Sequence, residues 1–438
     1  MAESVTKSFF PSQIASDIEK QSLEYGLKVG KAIESEWFDK DSGSNRYRSN
    51  EINFHRLRLY ARGEQSIQKY KDELSINGDL SYLNLDWKPV PIIPKFVDIV
   101  VNGISERTYD IKAYSQDPYG VEKRTNYMET ILADMETKEL AEFSKQAFGI
   151  DISDTPEEEL PETKEELDLH MQLTYKQSVE LAEEQAINTI LETNKYDLTR
   201  KRVNYDLAVL GIGAVKNTFS KSEGVKVDYV DPANLVYSHT DSPYFEDVYY
   251  VGEVKVIPIN ELKKEFTDLS QQDLEEIMQQ PHNNKNGYSR THLNDNYVDT
   301  NQIEVLYFNY KTFMNEVYKV KTIGSGASKI IVKDDSFNPP QELVEQNFER
   351  VSRSIEILYE GVLILGTKKL LKWGIAKNMV RPKSDNTKVK LNYSIVAPRM
   401  YNGKIESLVS RITGFADMIQ LTHLKLQQVM SRLIPDGV

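Results

Sequence analysis

The stretch Tyr229–Phe266, YVDPANLVYSHTDSPYFEDVYYVGEVKVIPINELKKEF, changes its hydrophobic period partway along. Its start closes the run GVKVDYVDP (224–232), β-branched and aromatic residues ending in an Asp-Pro turn, which reads as a strand. After a polar loop, DVYYVGEVKV (247–256) reads as a second strand. From IPINELKKEF (257–266) the spacing is helical, with Asn260 as an expected N-cap. Strand, turn, strand and helix within one short span predict an α+β chain.

Upstream, residues 12–35 and 51–74 carry helical spacing, separated by the polar break 39–51. Prolines 89, 91 and 94 keep the chain extended up to a helix, PKFVDIVVNGISE (94–106), expected to stop near Gly103. RTYDIKAYS (107–115) alternates like a strand. One long helix is expected over 162–196 and another over 197–210, ended by Gly211–Ile212–Gly213. AVKNTFS (214–220) reads as a strand.

Downstream, SQQDLEEIMQQ (270–280) is a helix with Ser270 as N-cap, and 281–296 is a polar loop. QIEVLYFNYKTF (302–313) and NEVYKVKT (315–322) form a two-strand pattern before a flexible tip, GSGAS (324–328). SIEILYEGVLILG (354–366) predicts a hairpin turning at Glu360–Gly361, and LNYSIVAPR (391–399) is extended. A long amphipathic helix covers about 403–433, with an apolar stripe through Ile405, Leu408, Ile412, Phe415, Ile419, Leu426, Val429 and Leu433. Its other face carries Arg411, Gln420, Gln427, Gln428 and Arg432.

The 438 residues allow two to four domains, at roughly 150 residues each. Cys is absent, which excludes a disulfide framework, a thiol nucleophile and Cys-ligated zinc. No apolar run of membrane-spanning length occurs, and MAESVTKSFFPSQIASDIEK lacks the basic-then-apolar order of a Sec signal. A soluble protein in a reducing compartment is expected.

The net charge of −13 is unevenly spread. Residues 361–438 hold 13 Lys and Arg against 4 acids, a net of +9, while the preceding 360 residues net −22. A basic end on an acidic body suggests a surface meeting a polyanion or acidic partner, although a merely solvated basic surface fits equally. DISDTPEEELPETKEELD (151–168) is read as a solvated acidic face, because it lacks both calcium-loop spacing and histidine.

Catalytic motifs are missing. Gly26–Lys31 is one residue short of a phosphate-binding loop, lacks the Ser/Thr after its Lys and sits in a helical pattern. Gly211–Ile212–Gly213 lacks the third Gly of a dinucleotide fingerprint. The six histidines, at 55, 170, 239, 282, 292 and 423, have no metal-ligand spacing, and no G-x-S-x-G elbow occurs. No catalytic residue, metal or cofactor is expected, and the chain is not read as an enzyme.

The order of parts resembles portal proteins of short-tailed bacteriophages. Asp231–Pro232, Asp241–Ser242 and the Ile259–Phe266 helix match that family's strand–turn–strand–helix pattern. IPKFVDIVVNGISERTYDIKAY, SIEILYEGVLILG and the segment LNYSIVAPRMYNGKIESLVSRITGFADMIQLTHLKLQQVM resemble its body helix, insert hairpin and returning helix. The family's D-x-Q-x-x-x-N pattern is met only loosely, at Asp417 through Lys425. The likeness spans about 85–435, and the Tyr- and Asn-rich character is similar to portals of crAss-like phages.

The resemblance implies a ring, usually a dodecamer, at a unique capsid vertex of the virion, assembled in the host bacterial cytoplasm. Double-stranded DNA passes its channel during packaging and ejection. Further implied partners are the major capsid protein, the terminase large subunit and then head-tail adaptor proteins, with no membrane. By analogy the wing is 1–255, the first stem region 256–296, the clip 297–398 and the second stem helix 399–438, with further wing and crown expected beyond.

A strongly basic bore would hold the genome by phosphate neutralisation, so sparse basic rings suit transit. Arg411, Lys425 and Arg432, with Lys404 at the mouth, are the channel candidates; pairing with acids of a neighbouring subunit is the alternative for each. Ile412, Phe415, Ile419 and Leu426 are the subunit-interface candidates. Two rival readings are a capsid-vertex or neck adaptor lacking clip and stem, and a nucleic-acid enzyme whose activity would depend on the 157–168 acids.

Overall fold

The computed structural model describes residues 8–38, 46–75, 85–106, 111–138, 143–144, 147–148, 161, 163–173, 175–222, 224–279, 302–322, 328–333, 337–338 and 348–432. The chain is α+β and divides into two compact units. The first contains residues 1–106 and 198–438; the second is 107–197.

The first unit is built on an antiparallel sheet. Its path is β3 (Leu235–Tyr237), β4 (Tyr250–Pro258), β5 (Gln302–Thr322), β7 (Phe348–Ile364) and β8 (Leu370–Ile375), with β6 (Ser328–Lys333) on the far part of β5. A smaller sheet orders β2 (Gly224–Val230), β1 (Gly213–Ser220) and β9 (Tyr393–Val396). Helices α1 (Asp17–Gln21) and α2 (Leu23–Phe38) lie on the large sheet. Gly26 makes room there for Trp373, whose ring an added Cβ would meet at 2.4 Å. Trp373 stacks on Tyr359 at 4.9 Å and donates its indole N–H to the Lys20 carbonyl at 2.9 Å. Trp37 donates to the Tyr250 hydroxyl, which donates onward to Glu36. Trp37, Trp373 and Tyr250 thus fill the core with their polar ends paired.

Helices α3 (Arg46–Arg62), α4 (Gln68–Leu74) and α5 (Ile93–Ser105) complete the N-terminal part of this unit. The second unit holds α6 (Pro118–Glu136), α7 (Lys164–Leu173) and α8 (Ser178–Thr193); Glu180 of α8 is buried and accepts from Arg124 of α6 and the Ser115 N–H. Then α9 (Tyr196–Val209) leads to Gly211, where a φ of +82° and the Glu406 carbonyl, which an added Cβ would meet at 2.6 Å, explain the glycine. Next, α10 (Ile259–Glu265) and α11 (Gln271–Gln279) follow β4.

Several expectations are corrected. No hairpin turns at Glu360–Gly361: β7 runs straight through, because Gly361 lies opposite Phe308 and its absent side chain accommodates that ring. Residues 302–322 are one strand, not two. The helix expected over 162–196 is two, α7 and α8, and no strand occurs in 111–115. Asn260 lies inside α10, whose N-cap is Pro258. Ser270 does cap α11, accepting the Asp273 N–H at 3.2 Å and donating its hydroxyl to that carboxylate at 2.6 Å.

The expected boundary at 255/256 falls inside β4, and the described residues of 297–398 share sheets with β3, β4 and β1. The first stem region is two short helices in its described part. The loop 281–296, the tip 324–327 and most of the 151–168 acids lie outside the described residues.

Candidate functional site

The last helix, α12 (Leu408–Arg432), is where the sequence concentrates its candidates. It starts five residues later than expected, because the chain first makes a hairpin of β10 (Met400–Tyr401) and β11 (Lys404–Ile405). Asn402 (φ +48°) and Gly403 (φ +70°) supply the left-handed pair such a two-residue turn demands. Ser407 then caps the helix, accepting the Ser410 N–H at 2.9 Å while its own N–H donates to the Ser410 hydroxyl at 3.0 Å.

Polar side chains dock this helix. Asp417 Oδ1 accepts from the hydroxyls of Tyr60 and Tyr70, each at 2.7 Å, and Oδ2 pairs with Lys69. Burial raises the Asp417 carboxyl, but Lys69, Tyr70 and Tyr60 outweigh it and hold the group below the usual aspartate value. Burial, helped by the same carboxylate, pushes the Tyr60 hydroxyl up to about 12 and Tyr70 further. Gln420 is 1 % exposed; it accepts the Val90 N–H at 2.8 Å and donates to the Lys88 carbonyl at 3.4 Å. Gln427 accepts the Asp86 N–H at 3.2 Å. The proline-interrupted segment 86–91 cannot pair fully with itself, and the helix glutamines satisfy its free amide groups.

The faces are therefore not those the pattern suggested. Gln420 and Gln427, expected on the polar outside, point inward, and much of the apolar stripe points out. Phe415 is 64 % exposed, Ile419 42 % and Leu426 56 %, with Met418, Val429 and Met430 exposed beside them. Of the four interface candidates only Ile412 is partly buried, packed on the chain's own core. Sequence reasoning missed Asp417, Gln420 and Gln427 as anchors; their spacing of three and seven was the available signal.

The cations divide. Arg411 is half exposed and lies 3.5 Å from Glu406. Lys425 is exposed and makes no ion pair among the described residues. With Lys69, Glu73, Asp417 and Gly414 it lines a shallow recess of about 360 Å³ between α4 and α12. Lys404 is exposed, on β11 rather than on the helix. The Arg432 side chain lies outside the described residues. Elsewhere in the basic segment, Lys369 is neutralised by Asp273 and Glu276, and Lys372 by Glu360.

Asp231 of the Asp-Pro turn is structural. It caps the short 3-10 turn Pro232–Asn234 and takes both Arg58 amino groups, at 2.7 and 3.1 Å. Arg58 also reaches buried Asp206, to which Tyr229 donates. Burial raises the Asp206 carboxyl, and the Tyr229 and Arg58 bonds oppose that rise. No cluster of His, Asp and Glu able to hold a metal occurs among the described residues. Nor is any described helix long and apolar enough to cross a membrane.

Charge follows the units. Residues 107–197 contain 22 acids and 9 bases, a net of −13; the other unit has 45 of each and is neutral. Comparison of the chain with protein-family models and with curated proteins found no match.

Proposed function

We propose that this chain is a portal-type subunit. Copies would form a ring at a capsid vertex, through which double-stranded DNA is packaged and ejected. The outside of the ring would meet the major capsid protein, and its insert would dock the terminase large subunit and later the head-tail adaptors. The reading assigns the chain no catalytic step; a partner ATPase would drive packaging.

The observation that carries it is the outward apolar stripe of α12, flanked by Arg411 and Lys425. A helix docked through Asp417 and Gln420 that leaves Phe415, Ile419 and Leu426 in water is arranged for association, because burying such side chains is the main driving force for it. The neutral first unit adds support. It carries no excess of positive charge to hold a polyanion, so DNA would pass with weak net attraction. The strand–turn–strand–helix order over 224–266 supports this reading.

The described 256–279 region favours a second reading, a vertex or neck adaptor, in one respect: it has no single long stem helix. Negative-stain microscopy of the full-length protein, with mass photometry, separates the outcomes. Rings with a central channel are expected. A strictly monomeric protein from nanomolar to micromolar concentration would refute both ring readings. Rings that bind capsid but fail to recruit the motor would select the adaptor.

A further inference from the structure

Between β8 and β9 the chain runs through 376–392 without a helix or strand of its own. Connections longer than about 12–15 residues are uncommon in compact units and usually have a task. This one carries Lys377, Arg381, Lys383, Lys388 and Lys390 against a single acid, Asp385, a net of 5 − 1 = +4. The rest of the first unit cancels that excess, so the positive charge is local.

The loop is nevertheless firmly held. Ala376 and Val389 close on Leu358 of β7, with Met379 and Leu391 packed beside them. Arg381 donates to the carbonyls of Glu356 at 2.8 Å and Asn386 at 3.0 Å. The Val389 N–H donates to the Glu356 carboxylate at 2.9 Å, and the Lys390 N–H to the Val380 carbonyl at 2.9 Å. Asp385 accepts both the N–H and the hydroxyl of Thr387. Arg381 and Asp385 thus serve as scaffold. Lys383, Lys388 and Lys390 are left exposed. Lys388 and Lys390 flank buried Val389 and so lie on the side away from Leu358. Among the described residues their one ion pair is Lys388 with Asp385, a loose 3.9 Å with Lys388 67 % exposed.

Two chemistries could meet such a loop, a phosphate backbone or an acidic protein surface. Protein interfaces are anchored by aromatic residues, Met and Arg, and are poor in Lys. Residues 376–392 include no aromatic, Met379 is tucked against the core, and Arg381 is tied to carbonyls. Val380 is the one large apolar side chain of the loop left exposed. What faces outward is lysine, a point charge suited to phosphate. We infer that this loop touches the phosphate backbone of duplex DNA through Lys383, Lys388 and Lys390. The choice of duplex DNA as the polyanion rests on the portal reading, whose insert contains the loop.

The test follows binding of the full chain to a fluorescent duplex of about 30 bp by anisotropy, from about 50 to 200 mM salt. Lys383→Gln, Lys388→Gln and Lys390→Gln together should lower the slope of log affinity against log salt by about 2.7, at 0.9 per lost phosphate contact, and weaken low-salt binding at least tenfold. The same three positions changed to Arg should keep the slope, and neither triple variant should move the thermal midpoint or ring assembly. An unchanged slope in the Gln variant overturns the inference. So does an equal drop per lysine when exposed Lys263 and Lys264 of α10 become Gln, since that means diffuse attraction. A Gln variant that keeps duplex binding but loses poly-glutamate overturns it in favour of an acidic protein partner. A wild-type chain that never assembles refutes the ring reading, whereas one that assembles and binds no duplex refutes this inference alone.

Discussion

Asp417→Ala should release α12 from the subunit without unfolding the rest. The wild-type carboxylate takes two tyrosine hydroxyls and the Lys69 ammonium. Tyr60 and Tyr70 are 9 % and 0 % exposed, so removing their acceptor leaves two hydroxyls short of a partner where water reaches poorly. An unsatisfied buried hydroxyl costs about 1–3 kcal/mol. The lower end is taken here because the vacated carboxylate site lies beside exposed Lys69, where water has partial access. Lys69 is 59 % exposed, and an exposed pair of that kind adds less than about 1 kcal/mol. The sum is about 3 kcal/mol, roughly a 150-fold increase in the helix-undocked population. Hydrogen–deuterium exchange on peptides from 408–432 should therefore speed up about 100-fold, while β5 and β7 peptides stay unchanged. Asp417→Asn keeps an acceptor for both tyrosines and should accelerate exchange only about fivefold. A change under threefold in Asp417→Ala, or equal effects from the two variants, would show that the docking of α12 does not depend on this carboxylate.

Other outcomes follow from the same geometry. The Asp417 carboxyl is held below its unfolded value, so its contribution is full above about pH 5 and fades as pH falls below about 4. Urea midpoints measured across pH 7 to 3 should fall less steeply at the acid end in Asp417→Asn than in wild type. Arg58→Ala strands Asp206 and Asp231 and should cost about 3 kcal/mol in chemical denaturation; Arg58→Lys should recover little, since one ammonium cannot reproduce the forked contact with Asp231. Gly361→Ala drives a Cβ to 2.2 Å from the Phe308 ring and should cost about 1–3 kcal/mol, with Phe308→Leu restoring most of it. Replacing Lys404, Arg411 and Lys425 together by Ala should leave assembly intact and lower the salt slope of duplex-DNA binding by about 2.7, at 0.9 per lost phosphate contact; an unchanged slope removes them as DNA contacts.

Much of the fold was legible where a local rule had one solution. Gly211 had to end α9, Ser270 had to cap α11, and the alternation of 213–220 and 224–230 paired as a hairpin. Gly361 misled because Glu-Gly in an apolar run signals a turn, whereas the glycine answers Phe308, a residue far away in sequence. The candidate site misled for a related reason. Periodicity shows that a helix has an apolar face but not what covers it, and on α12 the subunit's own core takes the side bearing Asp417 and Gln420. That choice depends on the unpaired amides of 86–91, invisible from the helix alone.

The unequal division of charge has a consequence for handling the protein in solution. A chain trimmed of residues 107–197 would have no net charge at neutral pH, yet would still bare the apolar stripe of α12. Colloids of that kind have nothing to hold them apart. The acidic unit therefore gives every free copy a long-range repulsion from every other. Raising the ionic strength shortens its reach, so salt, more than protein concentration, should govern when free copies begin to stick.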